Sequence, residues 1–162
     1  MARGFYKADN YRLRESIGYL LKSTFRSLSE VIESRFTQQG YTFQQWLVLM
    51  HLRDGLAGTV AELSRLLRHD SGAMTRLVDQ LEERKLVVRR RNAADRRVIE
   101  LELTPSGSKA VEALIPITVD TLNEALEGFT REEVRVFKDS MRRLTDNLHA
   151  MGAHSDADEA DA

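Results

Sequence analysis

The chain has 162 residues, 42% of them hydrophobic, which suits one packed domain with helical extensions and excludes a disordered protein. It has no cysteine, which excludes disulfides, thiol nucleophiles and thiol redox sensing and fits a reducing cytosol. The net charge of −1 is spread unevenly: from Arg65 to Arg97 ten basic residues stand against five acidic ones, a local excess suited to phosphate. No apolar run approaches a membrane span, and the opening MARGFYKADNYRLRES lacks the apolar stretch of a secretion signal. A cytoplasmic protein with no membrane partner is expected.

In chain order, residues 1–10 are expected to be flexible. A first helix is predicted over roughly Tyr11 to Gln38, with Leu13, Ile17, Leu20, Leu21, Leu28, Val31 and Ile32 at helical spacing. Thr42 and Gln45 form a capping-box pattern ahead of a second helix, Phe43 to Arg53, bearing Trp46, Leu49, Met50 and Leu52. Gly55 and Gly58 break the chain, and Thr59 with Glu62 repeats the capping pattern for a third helix. Asp70 and Ser71 open a fourth, to Arg84, with Met74, Leu77, Val78 and Leu81 on one face. Leu86–Arg91 and Val98–Leu103 read as strands joined by a turn at Asn92–Asp95. Thr104 and Pro105 start a fifth helix, to about Glu127, kinked at Pro116. Thr130 and Glu133 start a sixth, with Val134, Phe137, Met141, Leu144 and Leu148 repeating. From about Gly152 the small, acidic tail is expected to be flexible.

This order predicts a mostly α fold with a small β-wing: a winged helix-turn-helix lobe, about 42–104, plus helices about 11–38 and 105–148. Those long helices either complete one monomer's core or build a dimer interface; the dimer is favoured because such modules gain affinity from paired half-sites. On the fourth helix, Asp79 and Glu83 would repel phosphates, so only the N-terminal half suits a groove: Ser71, Gly72, Ala73, Thr75 and Arg76. Arg76 can pair with a guanine edge, and amides at the helix start can hold a phosphate. Arg91, Arg96 and Arg97 load the wing with guanidinium groups, which suit a minor groove, and Asp95 is expected to orient Arg97 by a salt bridge.

The segment DSGAMTRLVDQLEERKLVVRRRNAADRRVIELELTPSG resembles the core of the MarR family of bacterial transcription regulators. Asp95, Arg96, Arg97, Leu101, Leu103, Thr104 and Gly107 match its wing signature, DRR-xxx-L-x-LT-xxG, and the helix layout extends the likeness over about 11–148. The resemblance implies a homodimeric winged-helix repressor of efflux or aromatic-compound genes, released from a palindromic operator by a small aromatic or phenolic inducer. It puts Arg76 in the major groove, Arg97 in the minor groove and Asp95 as the orienting carboxylate. It also implies a ligand seam between the dimerisation helices and the DNA-binding lobe, for which Tyr19, Leu20, Phe25, Trp46 and Met50 are candidates. The family's cysteine-based peroxide sensing is ruled out here, and His51, His69, His149 and His154 show no zinc-ligand spacing. No cofactor, catalytic set or metal site is expected, so the chain is not read as an enzyme. The protein is expected to be nucleoid-associated when bound to DNA. The alternative is a winged-helix adaptor that binds protein and not DNA.

Overall fold

The computed structural model describes residues 4–158, with side chains as far as Gly152. Residues 1–3 and 159–162, parts of the ends expected to be flexible, lie outside the described residues. Six α-helices and one hairpin are formed: α1 (Ile17–Thr37), α2 (Phe43–Arg53), α3 (Val60–Leu67), α4 (Ser71–Glu83), β1 (Val87–Arg91), β2 (Ile99–Leu103), α5 (Pro105–Ala125) and α6 (Arg131–Asp158).

Polar caps set the boundaries. α1 begins later than Tyr11 because Ser16 is its cap: the buried hydroxyl accepts from the Tyr19 amide at 3.3 Å and donates to the Leu13 carbonyl at 2.7 Å. The stretch before it forms 3-10 turns at Ala8–Asn10 and Leu13–Glu15. α2 has the full predicted box between Thr42 and Gln45. α3 uses a variant, in which the Glu62 carboxylate accepts from the amide of Gly58, at 2.8 Å. That bond, with the Thr59 hydroxyl, holds the Glu62 pKa below the ordinary carboxylate value.

The chain divides into two compact units, one ending at Thr121 and one beginning at Leu122. In the first, Val48, Leu49, Leu63, Met74, Val78, Leu81, Val87, Leu101 and Val111 form one buried cluster. Each contributes on the order of 1.5–3 kcal/mol by leaving water. The predicted face of α4 is therefore the one that packs, with Leu77 half-buried. A second cluster joins Ile32 and Phe36 of α1 to Leu114 of α5, flanked by Tyr41, Phe43 and Trp46. The remaining apolar side of α1 stays exposed at Ile17, Leu20 and Val31.

The strands pair antiparallel, from Val87 opposite Leu103 to Arg91 opposite Ile99. The Leu101 amide also donates to the Gly58 carbonyl at 2.7 Å, tying the loop before α3 to the sheet. The base of the hairpin explains the LT-xxG pattern. A Cβ on Gly107 would sit 2.0 Å from the Leu86 carbonyl oxygen, so only glycine lets α5 approach β1 this closely. Thr104 completes the joint: its hydroxyl donates to the Lys85 carbonyl at 2.6 Å and accepts from the Gly107 amide at 3.0 Å.

In the second unit α6 opens on the predicted Thr130–Glu133 box. Arg135 bridges Glu132 and Asp139 along its surface, and Val136, Phe137, Leu148 and Met151 are exposed. The helix continues past Leu148 and Gly152 to Asp158, where a flexible tail was expected. One glycine costs only about 1 kcal/mol in a helix, and no proline follows it. No described helix is long and apolar enough to cross a membrane.

Candidate nucleic-acid interface

α3 ends on Arg68 as its C-cap, in the left-handed conformation (φ 50°), and only His69 and Asp70 separate it from α4. That short turn sets the two helices as a helix-turn-helix pair. Ser71, Gly72, Thr75 and Arg76 are all exposed and Ala73 is half-buried, so the N-terminal half of α4 offers small side chains and one guanidinium. Gly72 has a local role. A Cβ there would crowd the Asp70 carboxylate at 3.1 Å and only touch the Arg76 Nη1, at 3.6 Å, so glycine leaves room for the Asp70 cap.

Two sequence expectations change here. The start of α4 is not an open anion site, because the Asp70 carboxylate already accepts from the Ala73 amide at 2.9 Å. A phosphate at that point would meet a like charge. The acidic half of α4 is partly compensated: Glu83 stays exposed, but Asp79 and its neighbour Glu82 are paired. Arg89 of β1 pairs with Asp79 at 2.7 Å and with the Glu82 carboxylate, while its own amide donates to Glu82 at 3.3 Å. Partial burial works against the Arg89 charge, but the hydrogen bonds its guanidinium donates to Asp79 and Glu82 outweigh it and raise its pKa.

The arginine run therefore divides. Arg89 is held by α4, Arg90 pairs with Glu102 across the hairpin at 2.6 Å, and Arg91 is exposed at the end of β1. At the tip, Asn92 accepts from the amides of Ala94 and Asp95, at 2.7 and 2.9 Å, and donates to Glu100. Asp95 accepts from the backbone amide of Arg97 at 3.0 Å. It was expected to hold the Arg97 guanidinium; instead it shapes the turn, because the amide two residues on lies within reach of a short carboxylate. Arg96 and Arg97 are exposed and make no ion pair among the described residues.

The five ligand candidates are not gathered in one cavity of a single chain. Tyr19, Leu20 and Phe25 are 38%, 51% and 63% exposed on α1. Trp46 stacks on Phe43 (5.8 Å between centroids) and tilts against Phe36 at 5.5 Å, while Met50 packs on the core of the DNA-binding lobe. A groove of about 490 Å³ on α1 is lined by Ser27, Glu30, Val31, Ser34, Arg35 and Gln38, and includes none of the five.

A helix-turn-helix followed by an arginine-tipped hairpin defines a winged-helix DNA-binding protein. The profile of the MarR family matches residues 39–98, the span from the start of α2 to the end of the wing tip. The organic hydroperoxide resistance transcriptional regulator of Bacillus subtilis is 25% identical over 143 residues, 88% of this chain and 96% of its own. The transcriptional repressor NicR of Pseudomonas putida is 29% identical over 106 residues, covering 65% of this chain and 67% of its own. Wild-type MarR of E. coli superposes with a TM-score of 0.71 at 25% identity, over 80% of this chain and 96% of that one. These matches, with the helix-turn-helix and the wing, liken the chain to the DNA-binding transcriptional regulators of the MarR family, a family of regulators and not of enzymes.

Proposed function

We propose that the protein acts as a homodimeric, ligand-responsive repressor that reads an inverted-repeat operator through two copies of this lobe. The N-terminal half of α4 enters the major groove with Arg76 on a base edge, and Arg97, flanked by Arg96 and Arg91, reaches the minor groove and its phosphates. The observation that carries the reading is the division among the arginines: Arg76, Arg91, Arg96 and Arg97 are exposed with no ion pair among the described residues, and Arg89 and Arg90 are paired with carboxylates of the same lobe. Two-fold symmetry places half-sites about 10 bp apart, or a multiple of that. The exposed apolar residues of α1 and α6 supply the surface a second copy would cover. Similarity to NicR, a repressor, supports the direction of control.

Induction by a small aromatic acid or phenol is the finer part of the proposal. Its support is the aromatic set around Trp46, whose indole N–H is buried without an acceptor among the described residues. An anionic or phenolic oxygen would satisfy it. Peroxide sensing at a thiol is closed to this chain, which has no cysteine. The test is binding to promoter duplexes at stated salt, with and without salicylate-like acids. Binding without a palindrome in the footprint would remove the dimeric reading. Unchanged affinity at millimolar ligand would remove the induction and leave the DNA contact standing.

A further inference from the structure

The end of α4 farthest from its groove-facing half is anchored on a polar joint that cap patterns and charge counts do not reveal. Gln45, the capping residue of α2, is buried, 7% exposed, and uses both ends of its amide. Its oxygen accepts from the Thr42 amide at 3.2 Å and from Arg84 Nη1 at 3.0 Å. Its nitrogen donates to the Gln80 side chain at 3.5 Å. Gln80 and Arg84 stand one turn apart on the last part of α4, so one buried amide holds two successive turns. The Arg84 guanidinium in turn lies 4.2 Å over the ring of Tyr41, which packs against both hydrophobic clusters of this unit.

We infer that Gln45 and Arg84 are positioning residues for DNA binding: they fix the tilt of α4 and make no contact with DNA themselves. This rests on the assignment of α4 as the groove-reading helix. The leverage follows from helix geometry. Gly72 lies twelve residues from Arg84, about 18 Å along the axis at 1.5 Å per residue, so a 5° tilt about the anchored end moves it by roughly 1.6 Å. A hydrogen bond to a base edge does not survive that displacement. In the sequence Arg84 counts toward the basic excess; in the fold the residue is exposed, but one guanidinium nitrogen is given to Gln45 and one face to Tyr41.

The experiment uses the full chain, a fluorescent duplex that the wild type selects from a random-sequence pool, and a shuffled duplex of equal length. Arg84→Met keeps a stem on Tyr41 and removes the charge and the donor; Arg84→Lys and Gln45→Ala complete the set. Arg84→Met is expected to weaken the selected duplex about tenfold, leave the shuffled duplex within about twofold, and keep the salt slope of binding. The double variant Gln45→Ala with Arg84→Met should lose no more than the worse single variant, because both break one joint. A phosphate contact would look different: both duplexes weaken alike and the slope falls by about 0.9. That result, or wild-type affinity for the selected duplex in Arg84→Met, overturns the inference. If Arg84→Met does not fold, the same readouts are taken from Arg84→Lys beside its melting temperature; loss of preference at unchanged melting supports positioning, and full preference overturns it. A wild-type chain that enriches no duplex would bring down the assignment of α4 itself, a result unlike any confined to the Arg84 variants.

Discussion

The base and the tip of the wing are built from the same residue types on opposite terms. At the base, backbone meets backbone at Gly107, Leu86 and Val87 are buried, and Arg89 is locked between two carboxylates of α4. At the tip the constraints are short bonds within the turn, side chain to amide at Asn92 and Asp95 and backbone to backbone at Val98, and Arg96 and Arg97 are exposed. An arginine ten and seven residues from its two partners serves the fold, and one eight residues further on is left for a ligand. Position relative to the buried sheet face decides which.

The comparison breaks most visibly at Gly107. Gly107→Ala should destabilise by about 3 kcal/mol or more, because the clash is with a carbonyl that cannot rotate away. Urea unfolding would show it, and a loss under about 1 kcal/mol would mean that α5 can back away from β1 at little cost. Next are the groove-facing residues. Arg76→Ala should cost ~1–3 kcal/mol of operator binding and relax preference at one position per half-site. Arg97→Ala should weaken binding with less change in major-groove preference, and neither should alter the urea midpoint. Wild-type binding by both variants would show the docking to be wrong.

Arg89 tests the border between the two regions. Arg89→Met leaves Asp79 and Glu82 without a counter-charge, and should cost about 1–2 kcal/mol of stability, moderated because the carboxylates are partly solvated. Adding Asp79→Asn and Glu82→Gln should restore part of that loss; no recovery would show that Arg89 acts by packing alone. The smallest effect is at Glu62. Its pKa is depressed in the fold, so its contribution is full above the ordinary value of 4.5 and fades as pH falls through the lower folded value. Glu62→Gln should therefore narrow the gap between unfolding midpoints at pH 7 and pH 3.

Much of this was legible because local chemistry dominates it. Thr and Asp caps marked helix starts at Thr42, Thr59, Asp70 and Thr130 within a residue or two, whereas the Ser16 cap of α1 was not read. The strands and the exposed half of α4 followed from period alone. The Arg89 clamp was not read, although a signal existed: strand alternation places Arg89 on the face of buried Val87, opposite buried Leu101. A basic run invites a count of charges where a count of faces was needed. The Gln45–Arg84 joint had no such signal, since it spans 39 residues and depends on how α2 meets α4. Asp95 went astray on chemistry, because side-chain pairing was expected where the nearer amide wins.

Apart from the bond from Asn92 to Glu100, the hydrogen bonds of the wing tip close within seven residues, from Asn92 to Val98. Short loops of this kind open and reclose on the nanosecond-to-microsecond scale, without disturbing the strands below. The amides of Ala94, Asp95 and Arg97 should exchange with deuterium far sooner than that of Leu101, which is held by the Gly58 carbonyl. A tip with such fast internal motion can sample many placements of its guanidinium groups during a single encounter with a duplex, so the wing would engage DNA early and settle late.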